Sequence, residues 1–153
     1  MAFKVNLCTN QRPALPWDGR NKHFVMKKRV DFTQAANQLA TDEIMALFDV
    51  PAGVLVEEVL MNVVTADADI DAVDIGSFTV AEAAISADGF HDGTSIAATG
   101  LKRDLAGETY SKQDQAAGYM GTSDWIIGFT SKTAAQTLNG AVIDFYAVCV
   151  DLR

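Results

Sequence analysis

The sequence predicts an all-β sandwich preceded by an extended N-terminal arm, and three observations carry that reading. Short apolar segments recur with a two-residue period. Gly, Pro and Asp punctuate them at turn spacing. No stretch shows the 3.6-residue period of a long amphipathic helix.

Residues 1–22 read as the arm. Pro13 and Pro16 lack amide donors, and Asp18-Gly19 supplies a turn. Trp17 has no periodic partner; it serves as an anchor for another chain or folds back onto its own domain. The sandwich is expected over 23–153, with the two-residue period starting at Phe24. Phe24, Met26, Val30 and Phe32 share a face with Lys28 as the exception, and Lys27, Arg29 and Asp31 face the other way. Residues 33–40 form a helical turn or loop. Ile44, Ala46, Phe48 and Val50 alternate with Glu43 and Asp49 in a second strand, which Pro51-Ala52-Gly53 ends. Residues 54–65 are apolar on both faces, so the opposing sheet covers one and a loop or another subunit the other. Short strands around 73–75 and 78–80 sit among turns up to residue 95, and a loop rich in Gly, Ser, Ala and Thr runs to about 121. Trp125, Ile127 and Phe129 mark a strand containing Gly128, and residues 141–152 form a last strand, again apolar on both sides.

Three segments in this order resemble a known family. They are Val50-Pro51-Ala52-Gly53-Val54 opening a long strand, Asp74-Ile75-Gly76 followed by Asp88-Gly89-Phe90-His91-Asp92-Gly93, and the closing Tyr146-Ala147-Val148-Cys149-Val150-Asp151-Leu152. Over roughly residues 40–152 the chain is similar to the capsid decoration, or cement, proteins and related small virion structural proteins of tailed bacteriophages. The resemblance implies a jelly-roll fold, a homotrimer at three-fold decoration sites, the major capsid protein as partner, and a place on the virion capsid surface after synthesis in the host cytoplasm.

At 153 residues the length is that of one domain with a real core, and 49% apolar against 21% charged residues excludes general disorder. No run approaches a membrane span, and the first twenty residues lack the apolar core of a secretory signal. Cys8 and Cys149 do not make a disulfide framework, and no Cys/His spacing matches a zinc site. The net charge of -8 is uneven. Residues 1–30 carry seven basic groups against Asp18, a net +6, and the rest of the chain carries −14. Arg12, Trp17, Arg20, Lys22, Lys27, Lys28 and Arg29 are therefore the expected interaction residues, although Lys27-Lys28-Arg29 equally suits a solvated strand edge.

The sequence holds no recognisable active site, so no enzymatic function and no cofactor are expected. His23 lies among lysines, a poor setting for a general base. His91, inside a Gly-flanked stretch, reads as a water-exposed turn residue. Asp67, Asp69, Asp71 and Asp74 open like a calcium loop, but Ala72 and Phe78 stand where that loop needs Gly and Glu. They read as solubilising acids, with a calcium site of another kind left open. Glu57 and Glu58 fall on opposite strand faces, and no glycine-rich phosphate cradle exists. Two functions remain. The first is a head decoration protein that stabilises contacts between capsid subunits, with neither nucleic acid nor membrane as partner. The alternative is a carbohydrate- or receptor-binding β-sandwich of a fibre or tail, using Phe90, Tyr110, Tyr119 or Trp125 as platforms.

Overall fold

The computed structural model describes residues 3–7, 22–103 and 118–153. Ten strands occupy them: β1 (Val5–Asn6), β2 (Lys22–Asp31), β3 (Ile44–Val50), β4 (Val54–Thr65), β5 (Val73–Thr79), β6 (Ala84–Thr94), β7 (Gly100–Lys102), β8 (Tyr119–Met120), β9 (Trp125–Ser131) and β10 (Val142–Asp151). The first sheet runs β1-β3-β9-β5-β6 and the second β2-β10-β4-β7, with β8 also on β4. Every pairing except the parallel β1–β3 is antiparallel, and the two sheets form a sandwich consistent with a jelly roll. Among the described residues the only helical element is the 3-10 turn at Ala35–Asn37.

The core lies where the inner faces of the sheets meet. Met26 and Val30 of β2, Val56, Val59, Met61 and Val63 of β4, and Phe145, Ala147 and Cys149 of β10 pack on Met45, Ile75, Ile127 and Phe129 of the first sheet. Ring contacts bind the layers: Phe129 meets Phe145 edge-on at 5.2 Å, and Phe32 lies 5.5 Å from Phe129.

The single apolar face expected for 44–50 is split. A register shift between Ala46 and Phe48 turns Ile44 and Ala46 outward while Met45, Leu47, Phe48 and Val50 join the main core. On the outside of the first sheet Ile44, Ala46, Phe78 and Ile126 build a second, smaller core, with Phe3 and Ala87 packed against it. The Phe3 ring meets Phe78 edge-on at 5.7 Å, and Lys4 N donates to Ile44 O at 2.9 Å. Residues 3–7, which the sequence reading placed in the arm, thus extend the first sheet. Their short alternation was too brief to register as a strand.

The sandwich is stitched on both open sides by buried polar side chains. Lys28 points inward from β2. Its ammonium donates to the Leu7 and Leu47 carbonyls (2.7 Å to Leu47) and sits 5.5 Å from the Phe48 ring centre. On the other side His91 points inward from β6 and reaches Val59 O of β4 at 2.7 Å, in the gap between β8 and β7. A carbonyl only accepts, so His91 Nε2 carries the hydrogen; in the neutral ring Nδ1 then accepts from the Thr94 hydroxyl at 3.0 Å. This corrects the expectation of an exposed turn. The Asp-Gly pairs on either side of His91 lie inside an 11-residue strand, and the imidazole is fully buried.

Lys28→Ala is expected to cost about 2–4 kcal/mol, because it removes a buried stem and deprives two interior carbonyls of a donor. Lys28→Met keeps the stem and should lie between alanine and the parent in denaturant unfolding.

Candidate interaction surface

The outer face of the second sheet is built by simple alternation. Residues that pair across β2, β10 and β4 share a side, so Val148 lies between Val25 and Glu58, and Tyr146 between Lys27 and Leu60. Arg29, Asp144, Asn62 and Leu101 follow one another across β2, β10, β4 and β7. Val25 is 55% exposed and Leu101 62%, and Val64 and Met120 are exposed as well. With the half-buried Val148, Tyr146 and Leu60 they form a diagonal apolar stripe from β2 to β7, bordered by Glu58, Lys27 and the polar row Arg29, Asp144 and Asn62. Such a patch marks an interaction site on a monomer.

Ion pairs fix the polar groups around that stripe. Arg29 grips Asp144 with two bonds of 2.7 Å, and the guanidinium holds the Asp144 carboxyl below the usual range. Arg103 pairs with Glu58 at 3.0 Å, and His23 Nδ1 lies 3.6 Å from a Glu57 carboxylate oxygen. Lys27 lies 5.2 Å from the Tyr146 ring centre.

Of the seven expected interaction residues, two stand on this face: Lys27 and Arg29. Lys28 alternates inward and its charge serves the interior. Lys22 opens β2 opposite Asp151. Arg12, Trp17 and Arg20 lie outside the described residues. Sequence reasoning named the basic groups and missed Val25, Leu101 and Met120. The signal for the face was the doubly apolar pattern of 54–65 and 141–152.

The aromatic platforms of the carbohydrate-binding alternative are not formed by Phe90 and Trp125. Both are buried, 6.4 Å apart in a near-parallel stack, and Tyr119 packs edge-on against Trp125 at 4.7 Å. Tyr110 lies outside the described residues.

The four acids of 67–74 do not converge. Asp67 is buried and accepts from the Asn139 and Gly140 amides at 3.1 and 2.8 Å, tying the 66–72 loop to the start of β10. Asp71 accepts from the Thr133 hydroxyl at 2.9 Å. Asp74 is buried and accepts from Gly93 N at 2.8 Å. Among the described residues no group of three or more His, Cys, Asp or Glu is placed to hold a metal ion. Solubility is therefore not the role of Asp67 or Asp74: both side chains point into the structure and hold turns. Burial pushes the Asp74 carboxyl above the usual range, and Asp92 and Asp88 add to the effect against the Gly93 hydrogen bond and Lys132. A carboxyl raised on folding weakens the fold above its folded pKa and costs nothing below its unfolded one. Asp74→Asn is accordingly expected to raise Tm at pH 7, on the order of 2 °C. The gain should vanish as pH falls below the ordinary aspartate range, as calorimetry across pH would show.

No helix among the described residues is long and apolar enough to cross a membrane. No known family model and no curated protein matches the sequence. Similarity appears among solved structures. A chain of the capsid of Ralstonia phage GP4 superposes with a TM-score of 0.62 at 15% identity, covering 97% of this chain and 94% of that one. A chain of the cyanophage Pam1 capsid asymmetric unit gives a TM-score of 0.50 at 10% identity, covering 92% and 94%. At these identities what is shared is the fold: this chain is a two-sheet sandwich similar, over nearly its whole length, to chains found in phage capsids.

Proposed function

We propose that this chain is a structural protein of a phage virion, a decoration or cement protein. It binds the outer surface of the head as a homotrimer and stabilises contacts between major capsid subunits. The observation that carries this reading is the outer face of the second sheet, an apolar stripe bordered by the Arg29–Asp144 and Arg103–Glu58 ion pairs, on a fold similar to that of capsid chains. A face of this kind suits many weak contacts repeated by symmetry, and it needs no catalytic group. The arm contributes attachment through Arg12, Trp17 and Arg20, because an aromatic ring and a guanidinium lose little conformational entropy per contact.

Cryo-EM of particles assembled with and without this chain tests the proposal. Density on the head surface is the expected result; density at the tail, or none, would count against it. The triple variant Arg12→Ala/Trp17→Ala/Arg20→Ala should keep its Tm and lose particle binding. It is a sharper test than deleting the arm, because Phe3 to Leu7 pack against the body of the protein.

A further inference from the structure

The outer face of the first sheet holds a pocket that the surface above does not use. Asp74 of β5 and Thr130 of β9 pair directly across the sheet, and both line the pocket. Ile44 and Ala87 give it apolar walls, and Asp42 and Lys132, joined at 2.5 Å, complete the lining. The cavity measures about 150 Å³.

Thr130 is only 6% exposed, yet its hydroxyl has no hydrogen-bond partner among the described residues, which is costly for a buried polar group. Asp74, 8% exposed, accepts a bond from Gly93 N on one carboxylate oxygen, and among the described residues its other carboxylate oxygen takes no hydrogen bond. The nearby charges are those of Asp42, Asp88, Asp92 and Lys132, and Lys132 is held by Asp42. The cation lining the pocket, Lys132, is thus already paired with Asp42 and is outnumbered by the surrounding carboxylates, and the Thr130 hydroxyl is left without a partner among the described residues.

We infer that this pocket binds an alkylammonium group, the end of a lysine side chain from a neighbouring polypeptide. The ammonium's three donors match the open Asp74 oxygen and, once a turn about χ1 brings it out of its buried position, the Thr130 hydroxyl, while the methylene stem lies on Ile44 and Ala87. A guanidinium fork needs a carboxylate with both oxygens open, which Asp74 does not offer. The volume is below that of sites for sugars or nucleotides and suits a single side chain. The inference rests on this geometry alone and stands whether or not the chain belongs to a virion.

The test is an NMR titration of the full-length ¹⁵N-labelled protein with N-acetyl-lysine N-methylamide. Its uncharged counterpart N-acetyl-norleucine N-methylamide and calcium chloride form the other two arms. The lysine probe should shift the Asp74, Ala87 and Thr130 amides along a saturating curve, and the norleucine probe should not. Asp74→Asn should weaken binding roughly tenfold or more and Thr130→Val about threefold, the losses of a charged and a neutral hydrogen bond. Asp74→Asn is expected to be the more stable protein, so a loss of affinity there is not unfolding. The comparison of probes on the parent needs no variant at all. No shift at these residues, equal shifts with norleucine, or parental affinity in Asp74→Asn would overturn the inference. So would calcium producing the same shifts in place of the amine.

Discussion

Val59→Lys is expected to yield no folded protein, whereas Val148→Lys should fold normally and fail to assemble. Val59 lies on the inner face of β4, packed in the main core. A lysine there buries an unpaired ammonium and overfills a dense interior, for a loss on the order of 5 kcal/mol, comparable to the whole stability of a domain. Val148 is on the opposite face, beside Val25, and half-buried. Its replacement leaves the core intact and places a charge in the middle of the proposed contact stripe. Circular dichroism distinguishes the two by folding, and sedimentation of the parent and Val148→Lys by assembly. A Val148→Lys protein that sediments as an unchanged trimer and still binds particles would remove the outer face of the second sheet from the interface.

The second large effect concerns Gly76. A Cβ added there would stand 2.0 Å from the Ser86 carbonyl oxygen and 2.3 Å from the Ala87 carbonyl carbon. Both obstacles are backbone, so no rotamer change relieves the clash. The pairing jumps from Ile75–His91 to Ser77–Ser86, and the extra residues of β6 pass tightly over this position. Gly76→Ala should therefore lift β6 and cost about 3 kcal/mol, near the upper end for overpacking. For a domain of this size that is a fall of roughly 6–12 °C in Tm. Gly93→Ala is the control. It has open space around it but a φ of +64°, so only the left-handed backbone opposes the substitution, at about 1 kcal/mol. A Gly76→Ala variant no worse than Gly93→Ala would show that β6 yields easily.

How much of this was legible depends on what each signal measures. Strands β2, β3, β4, β9 and β10 fall where alternation and turn residues placed them, because local pattern and tertiary position agree there. β6 was invisible: its Asp-Gly pairs have the composition of turns, and only the wide bulge against β5 lets them sit in a strand. The inward turn of His91 had no local cue, since burial of a histidine depends on a carbonyl 32 residues away. Lys28 was visible as the break in an apolar face, but its partners, Leu7 and Leu47, come from a different sheet. The pocket between Asp74 and Thr130 is a cross-strand pairing separated by 56 positions, beyond the reach of any spacing rule.

The positions of Lys28 and His91 bear on how the molecule responds to force. Each crosses from one sheet to the other, and they do so at opposite open sides. Sliding one sheet over the other must break both at once, together with the core between them. Prying open one side leaves the second fastening in place as a hinge. Pulled along the strands, the protein should yield in a single abrupt event with no partly opened stage. Removing either fastening should make that response directional, softer on the side that lost it.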